Sequence, residues 1–271
     1  MKSSAKENTS PGEAIRVQDV SLGYGEEPIL QNLDFCVYSG EIVTILGGSG
    51  CGKSTLLKGL VGLLPPAKGH ISVGGMEISG KDPKSALMAI RRRIGVLFQS
   101  GALIGSLTLG ENVALPIEEF TSLPRDLIDD IVRLKLEQVR LADYARYMPA
   151  ELSGGMKKRA GLARALVLDP EILFCDEPSA GLDPVTSAEM DELLMELNHS
   201  LGITMVVVTH ELPSIEAISD RCIMLDREAH GIIAIGTPAS LKAESTDPRV
   251  QAFFHRQARD KVGESLNRFT D

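Results

Sequence analysis

Two hydrophobic rhythms alternate along the chain. From Ala14 to about Val73 the apolar residues fall in short stretches, AIRVQDV, LDFCVY, EIVTILG and HISV, parted by Gly23, Gly25, Ser39-Gly40 and Gly74-Gly75. Short apolar stretches bounded by turn residues predict strands. STLLKGLVGLL breaks into this region as a helix, residues 84–93 predict another, and IGVLFQ a further strand. Between residues 101 and 165 the period lengthens: Leu127, Ile128, Ile131, Val132, Leu134 and Leu136 recur at helical spacing, which predicts a helical subdomain.

Two runs beyond it, ILFCDE and TMVVVTH, are apolar without alternation. That is the pattern of strands covered on both faces, as in a parallel sheet. Met190, Leu193, Leu194 and Leu197 mark one face of a helix between them, so the order strand, helix, strand predicts a right-handed crossover. CIMLD and GIIAIG predict a hairpin, and residues 238–271 helices with a charged tail. The chain thus divides into a polar, frayed start at 1–13, a main unit at 14–240 and an extension at 241–271, with no internal repeat.

Composition narrows the function. With 271 residues, 43% hydrophobic and 24% charged, the chain is globular and large enough to need no disulfide or metal staple. A net charge of -9 argues against binding nucleic acid by phosphate neutralisation. Two basic runs stand out: Arg91 to Arg93 are expected to form a solvated helix face, and Lys157 to Arg159, on a candidate phosphate-site helix, either such a face or one that favours phosphate. Cys36, Cys51, Cys175 and Cys222 lack C-x-x-C spacing, which argues against a metal site; the three in apolar, strand-like stretches, Cys36, Cys175 and Cys222, are expected to pack, and the usage fits a reducing compartment. The polar N-terminus has no secretory apolar core, and no stretch approaches the ~20 apolar residues that span a bilayer. Action at a membrane would need another chain to do the spanning.

The chemistry gathers at glycine turns and strand ends. Gly47-Gly48-Ser49-Gly50-Cys51-Gly52-Lys53-Ser54, followed by Thr55, matches G-x-x-x-x-G-K-[ST] between a strand and a helix, the context that this phosphate-binding loop requires. Its glycines let backbone N–H groups curl around an anion, and the helix start adds the positive end of its dipole. Lys53 is expected to reach the β- and γ-phosphates of a nucleotide, and Ser54 to offer its hydroxyl to Mg²⁺. ILFCDE ends in two acids that need a use: Asp176 is expected in the Mg²⁺ shell, and Glu177 near the γ-phosphate, polarising water. His210 ends the next apolar strand. Ligands of open parallel sheets bind beyond such ends, so Lys53, Glu177 and His210 are expected to converge.

A second glycine turn, Ser153-Gly154-Gly155, opens the helix MKKRAGLARALVL, where the serine suits an N-cap and the glycines free N–H groups for an anion. LSGGM upstream of ILFCDEPSAGLD resembles the ATP-binding-cassette ATPases, in motif order, over about residues 14–240. The resemblance implies an α/β phosphate-loop NTPase with a RecA-like parallel core, an antiparallel β subdomain and a helical subdomain. It implies that Tyr24 stacks on adenine, that Gln99 senses Mg²⁺ and couples to a membrane partner, and that Ser153, Gly154 and Gly155 form the signature turn. Ser179 to Asp183 would form the loop that crosses a dimer interface, Glu177 the catalytic base and His210 the γ-phosphate switch. It further implies a head-to-tail homodimer in which each signature helix points at the ATP held by the other chain, with the basic run at Lys157 to Arg159 favouring phosphate.

Met156 stands where the family usually has glutamine, which weakens an inferred ribose contact. LSGGM, FQSGAL (98–103) and DPRVQAFF (247–254) resemble the subfamily that serves mammalian-cell-entry-type lipid transport, as in maintenance-of-lipid-asymmetry systems. That implies a peripheral ATPase on the cytoplasmic side of the inner membrane, with an integral permease, a lipid-binding protein and a small accessory subunit as partners and the segment around 100–125 pushing on the permease. A transporter ATPase for another substrate, and a soluble ATPase of translation or DNA repair, are the alternatives.

Overall fold

The computed structural model describes residues 12–25, 27–78 and 83–257. Of the expected frayed start at 1–13, residues 1–11 lie outside them, whereas Glu13 is already paired with Tyr38 in β1; of the expected charged tail, 258–271 lie outside them. In chain order β1 (Glu13–Leu22), β2 (Leu30–Tyr38) and β3 (Ile42–Gly47) lead to α1 (Lys53–Leu60), β4 (Lys68–Val73), β5 (Met76–Glu77), α2 (Pro83–Arg93) and β6 (Ile94–Leu97). Three helices follow, α3 (Leu109–Phe120), α4 (Arg125–Gln138) and α5 (Gly154–Leu166). The chain then returns through β7 (Ile172–Asp176), α6 (Pro184–Leu201), β8 (Thr204–Val208), α7 (Leu212–Ile218) and the hairpin β9 (Arg221–Asp226) with β10 (Gly231–Gly236). It closes with α8 (Pro238–Glu244) and α9 (Pro248–Phe254).

Two sheets result. An antiparallel one runs β2-β1-β4-β5; the other runs β10-β9-β3-β8-β7-β6 and is parallel except for β10. Alternating side chains of the parallel strands feed two cores. Phe174, Val206, Val43 and Ile45 pack with Ile15 and Leu33 of the antiparallel sheet and Leu56 of α1. Leu173, Met205 and Val207 pack on the opposite face with Leu162 of α5, Met190 and Leu193 of α6, and Val113 and Ile128 of α3 and α4. Each fully buried Leu or Phe contributes about 1.5–3 kcal/mol, which is why the uninterrupted apolar runs are the strands.

Three local departures from the sequence expectation have simple causes. The first helix stops at Leu60 rather than running to Leu64, because Gly62 takes a left-handed φ of 72°. Residues 101–108 form a loop instead of a helix start. The fully buried Asn112 pins that loop through Ile104 N and the carbonyls of Ile104, Leu107 and Thr108, while Thr108 and Glu111 close a capping box on α3. The run Arg91 to Arg93 is not solvated throughout: Arg93 forks onto both Glu171 carboxylate oxygens at 2.7 Å and donates to Gly74 O. All four cysteines are free, and three are buried.

The C-terminal helices sit against the edge of the parallel sheet beside the phosphate loop. Val250 and Phe254 of α9 and Leu241 of α8 cover Leu46, Cys222 and Met224. A polar anchor joins them: Arg249 Nη1 reaches Asp226 Oδ1 at 2.9 Å, and its Nη2 reaches Asp247 Oδ2, the α9 N-cap, at 2.7 Å. Arg249→Ala takes a cation from a carboxylate whose side chain is 3% exposed. It is expected to cost about 1–3 kcal/mol and lower Tm by roughly 2–10 °C in thermal unfolding. An unchanged Tm would show that apolar contact alone holds α9.

Candidate functional site

The glycine loop is built by exclusion of side chains. At Gly47 φ is 145°, and a Cβ there would lie 2.3 Å from Leu225 O of the neighbouring strand, so no other residue fits. Gly52 takes φ 101° at the N-cap of α1, and no side chain caps that helix. Its first N–H groups are therefore left for an outside acceptor. Lys53 Nζ donates to Gly47 O at 2.9 Å and Gly48 O at 3.2 Å, which holds the ammonium across the loop. Ser49, Gly50 and Ser54 are exposed, whereas Cys51 and Thr55 point inward. Burial pushes the Cys51 thiol up, so it packs rather than reacts. Tyr24 is 62% exposed, its hydroxyl 3.1 Å from Lys58 Nζ.

The parallel sheet brings the other candidates to the same edge. Gly47, His210, Asp176 and Gln99 all stand at or just past the carboxyl ends of β3, β8, β7 and β6, four adjacent strands. Asp176 is half-buried, and burial, followed by the charge of Glu177, raises its pKa against the opposing pull of Lys53 and Lys58. A half-buried carboxyl that resists ionisation beside a second acid suits a cation between it and a ligand. Glu177 carries an unusual φ of 51°, fixed by its own N–H to Val208 O at 2.8 Å. One carboxylate oxygen lies 2.8 Å from His210 Nδ1; the other is buried without a hydrogen-bond partner. An orphaned buried acceptor beside a glycine loop is a place for a polarised water. Exposed Gln99 follows β6 with no hydrogen bond of its side chain among those described.

Ser153, Gly154 and Gly155 do not join this cluster. They open α5 beside the start of α6: Ser153 Oγ accepts from Met156 N at 3.2 Å, and a Cβ on Gly155 would lie 2.7 Å from Thr186 Cγ2. Met156 turns toward the helical core. Asp183 is engaged as the N-cap of α6, accepting from Val185 N and Thr186 N at 3.1 Å and from Thr186 Oγ1 at 2.6 Å; the Thr186 bonds hold its pKa below the usual carboxylate range.

Of the two readings of Lys157 to Arg159, the solvated basic face does not hold for Lys158 and Arg159. Lys158 is 6% exposed and donates from Nζ to Glu177 O at 2.9 Å and Ala180 O at 2.6 Å; burial lowers its pKa. Arg159 turns to Glu189 of α6 at 2.5 Å. The wheel of α5 carried the signal: Gly155, Gly161 and Leu162, at i−3, i+3 and i+4 from Lys158, are all buried. Another polar link was also missed. Ser179, fully buried, donates to Asp191 Oδ1 at 2.9 Å and ties the loop after Glu177 to α6.

Residues 30–180 match the family model described as ABC transporter. The intermembrane phospholipid transport system ATP-binding protein MlaF of Escherichia coli K12 is 42% identical over 240 residues, 88% of this chain and 87% of that protein. The Mycobacterium leprae protein named probable ribonucleotide transport ATP-binding protein mkl is 41% identical over 254 residues, 94% of this chain and 72% of that protein. Among solved structures, the post-hydrolysis dimer of the ATP-binding cassette MJ0796 with ADP and Pi superposes with a TM-score of 0.75 at 30% identity, covering 83% of this chain and 98% of that one. That of cbiO1 from Clostridium perfringens, part of the transporter complex cbiONQ, has a TM-score of 0.77 at 28% identity over 94% and 99%.

Proposed function

The chain belongs to the ABC transporter family as an ATP-binding, ATP-hydrolysing subunit, and we propose that a homodimer of it drives phospholipid movement through a membrane permease. Among the described residues no helix is long and apolar enough to cross a membrane, which fits a peripheral subunit.

For hydrolysis the central observation is the glutamate with one oxygen on His210 and the other buried and unpartnered, next to a lysine-bearing glycine loop. Amides of Gly48 to Lys53 and the Lys53 ammonium take up the triphosphate, with Tyr24 against the base. Ser54, Asp176 and Gln99 would hold Mg²⁺. When bound, that ion would neutralise phosphate charge beside Asp176, whose pKa is raised by burial and then by the charge of Glu177. Glu177 accepts the proton of the attacking water, and His210 holds the carboxylate in place. Ser153 to Gly155, at the start of another helix, and Ser179 to Asp183 serve the nucleotide of the partner chain; the solved MJ0796 cassette with ADP and Pi is itself a dimer. This is catalysis by position and fixed charge.

The phospholipid assignment rests on the likeness to MlaF over most of both chains; the mkl protein supports ribonucleotide as a second reading. The permease reading rests on an apolar groove between the 98–104 loop and α3. Phe98 (39% exposed), Ile104 (45% exposed), Pro116 and Phe120 line it, with Arg91 and Arg164 at its polar margin. An apolar groove of this kind suits a docking helix.

Purification from native membranes in detergent is expected to bring integral membrane chains and bound phospholipid, detected by mass spectrometry. Ile104→Glu is expected to lose those chains while still binding ATP. Bound ribonucleotide without lipid would favour the second reading, and a preparation free of membrane chains would overturn the transport assignment.

A further inference from the structure

Glu177 sits in a backbone conformation that a β-carbon disfavours, and such conformations persist only where neighbours enforce them. Its N–H is fixed by Val208 of β8. Its carbonyl is fixed by Lys158, a residue of a different element, the helix that begins at Ser153. The same ammonium takes the carbonyl of Ala180, so one buried cation closes the loop after β7 onto α5. A second cation on α5, Arg164, donates to the carbonyls of Gly101 and Ala102, at the loop that carries Gln99.

From Ser153 to Lys158 is about 7.5 Å along a rigid helix axis. We propose that Lys158 is a positioning residue: by clamping the Glu177 and Ala180 carbonyls it sets the attitude of the catalytic carboxylate and makes it follow the position of α5. The inference rests on the roles assigned above to Glu177 and Ser153. In that arrangement the Ser153 end of α5 faces the nucleotide of the partner chain, while Glu177 serves the nucleotide of its own. Lys158 thereby joins the two sites of the dimer through one side chain: seating α5 at one ATP completes the base at the other.

Lys158→Met keeps the buried stem and removes the donors. In the full-length protein, with whatever chains co-purify, kcat is expected to fall about 10²-fold with KM for ATP within about twofold, the signature of a misplaced group rather than lost binding. Lys158→Gln, shorter and uncharged but still a donor, is expected to fall in between, and it carries the test if the Met variant does not fold. The deciding measurement is a double-mutant cycle. In a Glu177→Gln background the same Lys158 substitution is expected to leave the residual single-turnover rate unchanged, because the group it positions is already gone. A proportional loss in both backgrounds would reduce Lys158 to a structural tie, and parental kcat in the single variant would overturn the proposal outright. If Glu177→Gln alone retains full turnover, the fault lies instead with the assignment of the base.

Discussion

Glu177→Gln is expected to bind ATP and to hydrolyse it about 10²–10⁴ times more slowly than the parent, the range that a positioned general base contributes. The substitution is close to isosteric, and the amide oxygen can still meet His210 Nδ1, so the loop after β7 should keep its shape. What the amide lacks is the capacity to take a proton from water at the oxygen that is buried and unpartnered in this structure. Binding should survive for an electrostatic reason as well. The charge of Glu177 is the second cause, after burial, of the raised pKa of Asp176. A neutral residue removes that repulsion, Asp176 ionises more readily, and the site for Mg²⁺ and triphosphate is held at least as well as before. The variant should therefore stay dimeric with ATP, measured by light scattering, while phosphate release falls below detection in steady-state assays. Near-parental turnover would take the base role from Glu177.

How far the sequence could be read depended on the kind of force at each position. The strands ILFCD and TMVVV and the hairpin after them were legible because continuous burial leaves no other arrangement for such runs. The convergence of Lys53, Glu177 and His210 was legible for the same reason, since parallel neighbours place their carboxyl ends on one edge. The two-residue β5 escaped because it has no pattern of its own and exists only through pairing with β4. Lys158 escaped because a run of three cations reads as surface. Its burial comes from acceptors supplied by Glu177 and Ala180, some twenty residues away, and from buried glycine and leucine neighbours that only the helical wheel exposes. Asp183 was legible as part of the loop after β7, but not as the cap that starts α6. In these three cases the deciding partners include a backbone carbonyl or amide, and such groups carry no residue identity to be read.

Lys53→Ala is expected to weaken ATP binding by about 10- to 150-fold, the equivalent of about 1.5–3 kcal/mol for a hydrogen-bonded charge. The fold should tolerate the change. The ammonium is half-buried, and its bonds in this structure are to Gly47 O and Gly48 O, two backbone carbonyls of the loop it serves. The loop itself is fixed by other means, chiefly the absence of a Cβ at Gly47, where Leu225 O approaches from β9. The loss should therefore appear in binding and not in Tm. It should also be larger for ATP than for ADP, because the side chain is assigned to the β- and γ-phosphates together. Calorimetric titration with a non-hydrolysed ATP analogue and with ADP measures both terms on one preparation. Equal losses for the two ligands would move Lys53 away from the γ-phosphate, and undiminished affinity for both would remove it from the site, leaving the bonds to Gly47 and Gly48 as its whole role.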